Sequence, residues 1–279
     1  MKRLMVFAIL MAWAAFSAVG QTSPKTAELG GLELPAFSED PEHFFVSHHT
    51  DEYWGKQRNY SLFWDMERQI PIWVAYPLNE KLIGHGKRSG AWQYDKFMAS
   101  KKQPNLKRTY QMGSEDGYIR GHLCPSNDRL KPGMNEQTFY FTNMAPQDPY
   151  LNGGLWAWLE EHVQQLALQA GDGWVVTGCI DTDQSNWVTD VIGKHIAVPE
   201  AFFKAVLLRY RDDAGTSEHY EAHAWIVENR SYGFSGFEQK AAALEVSIDE
   251  LEGITGLDLY PNLVRLIGAP AAEGVEASR

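Results

Sequence analysis

The chain contains little cysteine. Its 279 residues include two cysteines, Cys124 and Cys179, so at most one disulfide can form within it. In an exported chain these two residues could form that bond. Two separate buried thiols are an equal alternative, because a disulfide requires Cα atoms within about 7 Å of each other. Cys124 is close to His122 only along the chain, which is weak support for cysteine catalysis.

Positive charge is also scarce. Lysine and arginine total 25 against 36 aspartates and glutamates, for a formal net charge of −11. An acidic protein is a poor general binder of polyanions. Residues 96–131 depart from this balance and predict a basic face on an acidic protein. For the residues of this window that lie outside any motif, a solvated charged loop is the alternative. Against three acidic residues, its eight basic ones are Lys96, Lys101, Lys102, Lys107, Arg108, Arg120, Arg129 and Lys131.

Long apolar runs are confined to the N-terminus. Lys2 and Arg3 precede an apolar run over residues 4–16, which is followed by small residues up to Gly20. This order is typical of a secretory signal peptide over residues 1–20. A membrane anchor needs about 20 apolar residues, which is longer than this run. We therefore expect an exported protein, periplasmic or secreted, with no stable membrane association after signal cleavage.

No internal repeat or linker divides the rest of the chain. Residues 21–50 are rich in Pro, Ser, Glu and His, which predicts an extended N-terminal arm. The small and polar residues 269–279 predict a flexible tail. Between these ends, residues 51–268 predict one domain.

The domain has the composition of strands mixed with helices. Aromatic and polar residues alternate between positions 60 and 76 in the manner of strands. Residues 248–255 favour a short helix, with Ser247 as its cap. Because no regular βαβ repeat is present, we predict an α+β fold built on a mainly antiparallel sheet. Further predicted strands occupy residues 173–178, 201–210 and 222–227.

The densest pattern occupies residues 117–161. It predicts a strand over residues 116–123, a loop of turn-forming residues, and a second strand over residues 138–142, Thr-Phe-Tyr-Phe-Thr. A helix is then predicted to begin at Asn152, whose side chain can cap free backbone N–H groups, and to stop at Gly171. Apolar residues recur along one face of this helix at Leu155, Leu159, Val163, Leu166 and Ala170.

The polar side chains of this stretch suit chemistry on a phosphate. A histidine such as His122 is partly neutral near pH 7 and can accept a proton as a general base. Arg120, two residues away on the predicted strand, points to the same side and offers a planar fork to two oxygens. The amide oxygen of Asn152 suits Mg²⁺, which prefers oxygen ligands. Glu160 lies roughly 80° from Asn152 around the helix, where it would hold a water of the ion.

Three motifs occur here in one order at compact spacing. They are Arg120-Gly121-His122, residues 142–147 (Thr-Asn-Met-Ala-Pro-Gln), and residues 151–160, where Leu-Asn-Gly-Gly-Leu-Trp is followed by Leu-Glu. Together they resemble the DNA/RNA non-specific endonucleases, the ββα-metal or His-Me finger nucleases of the endonuclease G type. The resemblance covers roughly residues 50–268 and implies a ββα-metal catalytic motif within the α+β fold.

The resemblance implies a role for most of these residues. His122 would be the general base and Asn152 the protein ligand of a metal ion, while Asn143 and Glu160 would support the site. The implied cofactor is Mg²⁺, with Mn²⁺ or another divalent ion as the alternative. The alternative interpretations are purely structural: Asn152 would cap a helix, Asn143 would close a turn, and Glu160 would be an exposed helix residue.

Two arginines would contact phosphate, and one position departs from the family pattern. By resemblance Arg120 contacts phosphate, and Arg88 matches a second phosphate-binding arginine. Many members carry Asp directly before the Arg-Gly-His triplet, whereas this chain has Ile119. The role of that acid is then either missing or supplied by another residue, for which Asp116 and Asp128 are the candidates.

The local chemistry and the resemblance predict an exported, metal-dependent endonuclease that hydrolyses phosphodiester bonds of DNA and RNA. Little sequence specificity is expected, because every recognised side chain addresses the phosphate and none a base edge. One alternative is a phosphodiesterase that acts on smaller phosphate diesters. The other is a catalytically weak exported protein that only binds nucleic acid. The oligomeric state stays open.

Overall fold

The chain alternates strands and helices without a repeating order. The structure is a computed structural model that describes residues 24–38, 40–52, 55–110, 117–182, 185–212 and 214–278, so the predicted signal peptide over residues 1–20 lies outside the described residues. The strands are β1 (His43–Glu52), β2 (Gly55–Asp65), β3 (Ile70–Leu78), β4 (Ile119–His122), β5 (Met144–Gln147), β6 (Asp172–Ile180), β7 (Trp187–Thr189), β8 (His195–Ala197), β9 (Ala201–Arg211), β10 (Glu218–Glu228) and β11 (Glu245–Val246).

Helices connect these strands and cover their faces. The helices are α1 (Pro24–Leu29), α2 (Glu80–Ile83), α3 (Met134–Gln137), α4 (Pro149–Leu151), α5 (Ala157–Ala170), α6 (Phe237–Leu244), α7 (Ile248–Thr255), α8 (Pro261–Ile267) and α9 (Ala269–Glu276). The predicted helix over residues 248–255 is confirmed as α7, with Ser247 and Glu250 in a capping box. Within the described ranges, none of the helices combines the length and the apolar composition needed to cross a membrane.

One large sheet organises the described residues. Seven strands hydrogen-bond in the order β1-β2-β3-β6-β9-β10-β11, and each neighbouring pair is antiparallel. β9 is buried along most of its length, as expected for an inner strand covered on both faces. The predicted α+β fold with a mainly antiparallel sheet is confirmed.

The sheet buries apolar side chains on both faces. Along β3, Val74 belongs to one core cluster and Ala75 to the other, because successive side chains of a strand point to opposite faces. The first cluster includes Leu159 of α5, Leu123 directly after β4, and Met144 and Ala145 of β5. The second cluster includes residues of α7, α8 and α9. Thus β4, β5 and α5 lie together on one face of the sheet.

Both chain ends are more ordered than the sequence predicts. The prediction of an extended arm over residues 21–50 is wrong at both ends of this range. Its beginning forms α1, and its end belongs to β1, which pairs with β2 in the sheet. The flexible tail over residues 269–279 is wrong as well, since most of it forms α9 with Ala272 fully buried. Burial against the sheet stabilises short segments whose own composition would leave them unfolded.

The second strand of the densest motif is also predicted in the wrong place. Residues 138–142 are not a strand: Thr138 caps the end of α3, and Phe141–Asn143 form a 3₁₀ turn. All five side chains are buried, so the aromatic rings fill the core instead of alternating between core and solvent. The strand that pairs with β4 is β5, immediately after this turn.

The helix of the motif begins earlier than predicted. Asp148, not Asn152, is its cap, since the Asp148 carboxylate accepts two backbone N–H groups of the first turn. Asn152 has helical dihedral angles and begins the π-helical turn Asn152–Trp156, which joins α4 to α5. The predicted stop at Gly171 is confirmed by its left-handed φ of 96°. The Asn152 side chain therefore does not cap the helix.

The predicted basic face loses one of its members to the core. Arg129 is fully buried, where it donates to the carbonyls of Asn59, Pro77 and Asp128 and lies 4.9 Å from the centroid of the Tyr76 ring. A guanidinium can be buried when its N–H groups find acceptors, which a sequence window does not reveal.

Both cysteines are free thiols. Cys124 is buried in the core shortly after β4, and Cys179 is half-buried on β6. Burial raises the pKa of Cys124 to about 12. Of the two alternatives left open by the sequence, the structure shows separate thiols.

Candidate active site

Two short strands and a helix bring the predicted site residues together. β4 pairs antiparallel with β5, so that Gly121 lies opposite Ala145 and His122 opposite Met144. Asp148 follows β5 directly and caps α4, so the chain turns from strand to helix within one residue. We refer to β4, β5 and the helical residues 149–170 as the finger.

One cavity contains most of the predicted site. It has a volume of about 380 Å³ and opens at the finger. Five of the six predicted site residues line it, namely Arg88, Arg120, His122, Asn152 and Glu160. The proposed base and the proposed metal ligand thus face the same space.

His122 is held as a neutral base. Its side chain is nearly buried, and its Nε2 atom has no hydrogen-bond partner among the described residues. Burial lowers the pKa of His122 to about 3, and the cations of Arg88 and Arg120 act in the same direction. The imidazole is therefore uncharged near pH 7. An unpartnered buried nitrogen is costly to a fold, but it is what a proton acceptor requires.

Aromatic rings hold the cavity's cations and its histidine in position. The Arg120 guanidinium lies 4.0 Å from the centroid of the Trp92 ring, and the His122 ring lies 5.3 Å from it. Phe139 meets Trp92 and His122 edge-on at 5.0 and 5.2 Å, and the Arg88 guanidinium is 5.1 Å from Phe139. These cation–π contacts orient both guanidinium groups. The sequence assigns no role to Trp92, because a tryptophan in a loop has no diagnostic spacing.

Positive charge continues beyond the cavity wall. Arg120 Nη1 donates to the carbonyl of Leu106 at 2.8 Å, which fixes the neighbouring segment against the site. Lys107 and Arg108 follow in that segment and are exposed. A polyanion entering the cavity would therefore meet cations on an otherwise acidic protein.

The amide of Asn152 is oriented by a second amide. Asn152 Nδ2 donates to Gln147 Oε1 at 2.5 Å, and Asn152 Oδ1 accepts no hydrogen bond within the described structure. Gln147 reaches this position because Gly121 lacks a side chain: a Cβ there would lie 2.8 Å from the Cβ of Gln147. The glycine of the Arg-Gly-His triplet therefore makes room for the residue that directs Asn152. The sequence assigns no such role to Gln147.

Glu160 lines the cavity near a buried cation. Burial raises the pKa of Glu160, and the charges of Lys204 and Arg88 oppose this. Lys204 is fully buried on β9, where its Nζ donates to Thr177 Oγ1 at 2.8 Å and lies 4.8 Å from the centroid of the Trp156 ring. A buried ammonium near Glu160 favours the ionised carboxylate. The sequence assigns Lys204 no role in setting the charge of Glu160.

Asn143 lies outside the cavity lining and supports it from behind. Its Oδ1 accepts from the Cys124 N–H at 2.8 Å, and its Nδ2 donates to the carbonyls of Cys124 and Thr138 at 2.9 and 2.8 Å. The Leu123 N–H also donates to the Asn143 carbonyl. Asn143 is thus a positioning residue that fixes the backbone directly after His122.

Among the described residues, the cavity lining contains Ile119 and Glu160 but not Asp128. Ile119 itself lines the cavity, and Asp116 lies outside the described residues. Asp128 is buried and accepts hydrogen bonds from the Tyr76 hydroxyl at 3.0 Å and from Gln164 Nε2 at 2.8 Å. Asp128 therefore lies behind the cavity lining, from where its charge helps to raise the pKa of Glu160, and its substitution for the missing carboxylate stays a prediction.

The donor set fits a divalent cation that prefers oxygen and keeps its waters. In the part of the chain that the structure describes, no group of three or more His, Cys, Asp or Glu side chains is placed to hold a metal. The free Oδ1 of Asn152 offers one neutral oxygen ligand, and Glu160 lines the same cavity. Mg²⁺ commonly binds through one or two protein oxygens and several waters.

Comparisons with known proteins agree with this geometry. A family model described as DNA/RNA non-specific endonuclease matches residues 46–266. Nuclease EXOG, mitochondrial, of Homo sapiens is 30% identical over 220 residues, which cover 74% of this chain and 56% of that protein. Endonuclease G, mitochondrial, of Bos taurus is 31% identical over 224 residues, which cover 76% of this chain and 70% of that protein.

A solved structure shares the fold. The crystal structure of an EndoG/EndoGI complex superimposes with a TM-score of 0.60 at 22% sequence identity, and the match covers 79% of this chain and 88% of that chain. The chain thus covers most of this structural neighbour, but it spans only 56% of the length of the human EXOG protein.

The low pKa of His122 can be tested directly. In metal-free protein, we expect the His122 ring signals in NMR spectra not to titrate between pH 5 and 8, because burial and two cations favour the neutral ring. Replacing Arg88 by alanine should raise the pKa of His122, since one of the cations that lower it is removed. Arg108→Ala, at an exposed position, should leave it unchanged. A midpoint near pH 6.5 in the wild-type protein would contradict this account.

The amide pair predicts a defect in metal binding. Gln147→Ala and Gly121→Ala should each weaken Mn²⁺ binding about 10- to 100-fold, because the orienting partner of the ligand is lost or displaced. The measurement is a titration of Mn²⁺ followed by electron paramagnetic resonance, without nucleic acid. Gln165→Ala, at an exposed position on α5, is the matched control. Equal Mn²⁺ affinity in all four proteins would show that Gln147 does not orient a metal ligand.

Proposed function

The chain belongs to the DNA/RNA non-specific endonuclease family, and from this premise we propose that it is a metal-dependent endonuclease acting on DNA and RNA. The observation that carries the proposal is the shared cavity, in which a neutral buried imidazole, a free amide oxygen and two guanidinium groups face one another. Such a set suits attack of water on a phosphodiester.

His122 is the proposed general base. Its Nε2 accepts a proton from a water molecule while the oxygen of that water forms a bond to phosphorus. The bond between phosphorus and the 3′ oxygen breaks, and the departing oxygen takes a proton from solvent. The products carry a 5′ phosphate and a 3′ hydroxyl. Bringing the anionic phosphate next to His122 offsets the two arginines, which raises the pKa of the imidazole when it must accept the proton.

Arg88 and Arg120 are proposed to bind the phosphoryl oxygens. Each guanidinium is held against an aromatic ring, so little side-chain freedom is lost when the phosphate binds. Both charges lie beside the negative charge that builds up on the phosphorane-like transition state.

Asn152 is the proposed protein ligand of the metal, with Glu160 holding one of its waters. A divalent cation at this place, Mg²⁺ or alternatively Mn²⁺, would supply charge that stabilises the phosphoryl oxygens and the departing 3′ oxygen. The Asn152 amide contributes no negative charge, so the full charge of the ion remains available to the substrate.

Weak sequence preference follows from the same residues. Each side chain assigned above addresses phosphate or water, and phosphate contacts carry no direct base information. Lys107 and Arg108 would add a salt-dependent attraction at the edge of the cavity.

The central experiment measures cleavage of supercoiled plasmid and of RNA by the protein lacking residues 1–20. We expect both to be cut with Mg²⁺ and neither with a chelator. His122→Ala should lower the rate about 10²- to 10⁴-fold, the usual contribution of a general base, and Asn152→Ala should abolish the response to Mg²⁺. His219→Ala removes a histidine whose side chain is 65% exposed and should retain the wild-type rate.

Other outcomes would assign a different function. Cleavage of small phosphate diesters without cleavage of plasmid or RNA would indicate a phosphodiesterase. Binding that falls steeply with salt, with no cleavage even after Mg²⁺ is added, would indicate a binding protein. Wild-type activity in His122→Ala would remove the imidazole from the mechanism.

Export of the protein is proposed on the pattern of residues 1–20. A basic start, an apolar run and small residues before Gly20 support signal cleavage. We expect the mature protein in the periplasm or the medium to begin at Gln21, as measured by N-terminal sequencing or intact mass. Intracellular protein that retains Met1 or another residue of the segment would contradict export.

A further inference from the structure

Two exposed aromatic side chains lie beside the finger. Phe234 is 79% exposed and Tyr150 is 57% exposed. Their ring centroids are 5.8 Å apart in an edge-to-face arrangement. Single exposed apolar residues are common on protein surfaces, but here two large rings contact each other and still leave most of their area in water. This pair is called the aromatic platform below.

The loop that carries Phe234 is fastened to the finger. At its start, Asn229 accepts from the Asp148 N–H at 2.8 Å and donates to the carbonyl of Pro146 at 3.1 Å. At its end, Lys240 Nζ donates to two carbonyls of the loop at 2.5 and 2.6 Å. The position of Phe234 is therefore determined relative to the same strand–helix turn that places the proposed metal ligand.

The aromatic platform and the cavity lie on two sides of one helical turn. Asn152 and Gly153 line the cavity. On the other flank, a Cβ built on Gly154 would lie 3.5 Å from the ring of Phe237, just after the loop. Tyr150 contacts Phe234 of this same loop, so it lies on the flank where Gly154 approaches Phe237. A helix is about 10 Å across, a distance that about two or three linked nucleotides can cover.

The surface between the aromatic platform and the cavity is not covered by a side chain at Gly153. Gly153 is exposed, and a Cβ built there would have no neighbour within 4 Å. Because Gly153 has no side chain, a nucleic-acid strand could cross this turn while its phosphate remains in the cavity.

We propose that Tyr150 and Phe234 form a base-stacking platform that binds a nucleobase of a single-stranded substrate, a few nucleotides from the phosphate in the cavity. The proposal rests on the proposed nuclease function and deepens it. Stacking on aromatic rings is available to any unpaired base, whereas bases of a duplex are already stacked and paired. The platform therefore favours single-stranded DNA or RNA over duplex without selecting a sequence.

The test compares affinities for single-stranded and duplex DNA of one sequence. Fluorescence anisotropy is measured in chelator, so that nothing is cut, with labelled strands of about 12 nucleotides. The proteins are wild type, Phe234→Ala, Tyr150→Ala, Phe234→Trp and Leu266→Ala. Leu266 is 53% exposed on α8 and serves as the control for loss of an exposed apolar side chain.

Each alanine variant of the platform should raise the Kd for the single strand about five-fold or more, the scale of one lost stacking contact. The Kd for duplex should change less than about two-fold in the same variants. Phe234→Trp should bind like wild type, because it retains a stacking surface. Leu266→Ala should bind both forms like wild type.

Abasic substitution locates the stacked base. An abasic residue moved along the strand should weaken binding by wild type most at one position, and this positional effect should disappear in Phe234→Ala. Unchanged single-strand affinity in both alanine variants, or equal weakening for single strand and duplex, would overturn the platform. So would a wild-type oligomer that Phe234→Ala dissociates in sedimentation, since the pair would then be an interface between copies.

The outcomes also separate this inference from the function on which it rests. Wild-type protein that neither binds nor cuts DNA or RNA would mean that the proposed function fails. Wild-type protein that cuts plasmid and RNA, with Phe234→Ala equal to it on single strands, would mean that only the platform is wrong.

Discussion

The site depends on one hydrogen bond between two side-chain amides. Gln147 accepts from Asn152 Nδ2 and so leaves Asn152 Oδ1 free toward the cavity. Gly121 permits this contact, because any side chain there would collide with Gln147. The three residues come from β4, β5 and the π-helical turn, so the spacing of the three motifs reflects one contact. A slip of one residue between β4 and β5 would place a side chain where the glycine must be.

Electrostatics at the site depend on aromatic rings. Two cations line the cavity and a third is buried near Glu160, and each lies against a ring that replaces part of its hydration. A chain with a formal net charge of −11 can thereby keep a local attraction for phosphate while its body repels polyanions, which favours release of products at physiological salt. The pairs are Arg88 with Phe139, Arg120 with Trp92 and Lys204 with Trp156.

Much of the fold could be predicted from local pattern. The inner strands and α7 follow from apolar runs and from a capping box within four residues. The predictions of secondary structure fail where burial against distant parts of the chain overrides local helix and strand propensity. Residues 138–142 have strand-forming side chains but are buried on all sides, and α9 is ordered by packing of Ala272. Neither effect can be seen within a short window of sequence.

The sequence by itself determined which side chains the proposed chemistry would use, because Arg120 and His122 stand in one motif and Asn152 follows at short spacing. Only the tertiary structure decided how those groups are held and charged. Gln147 was unassigned, and Lys204 comes from a strand far along the chain to lie beneath Glu160. Such contacts join residues distant in sequence, and the burial that shifts their pKa values exists only once the sheet, the finger and the loops have packed together.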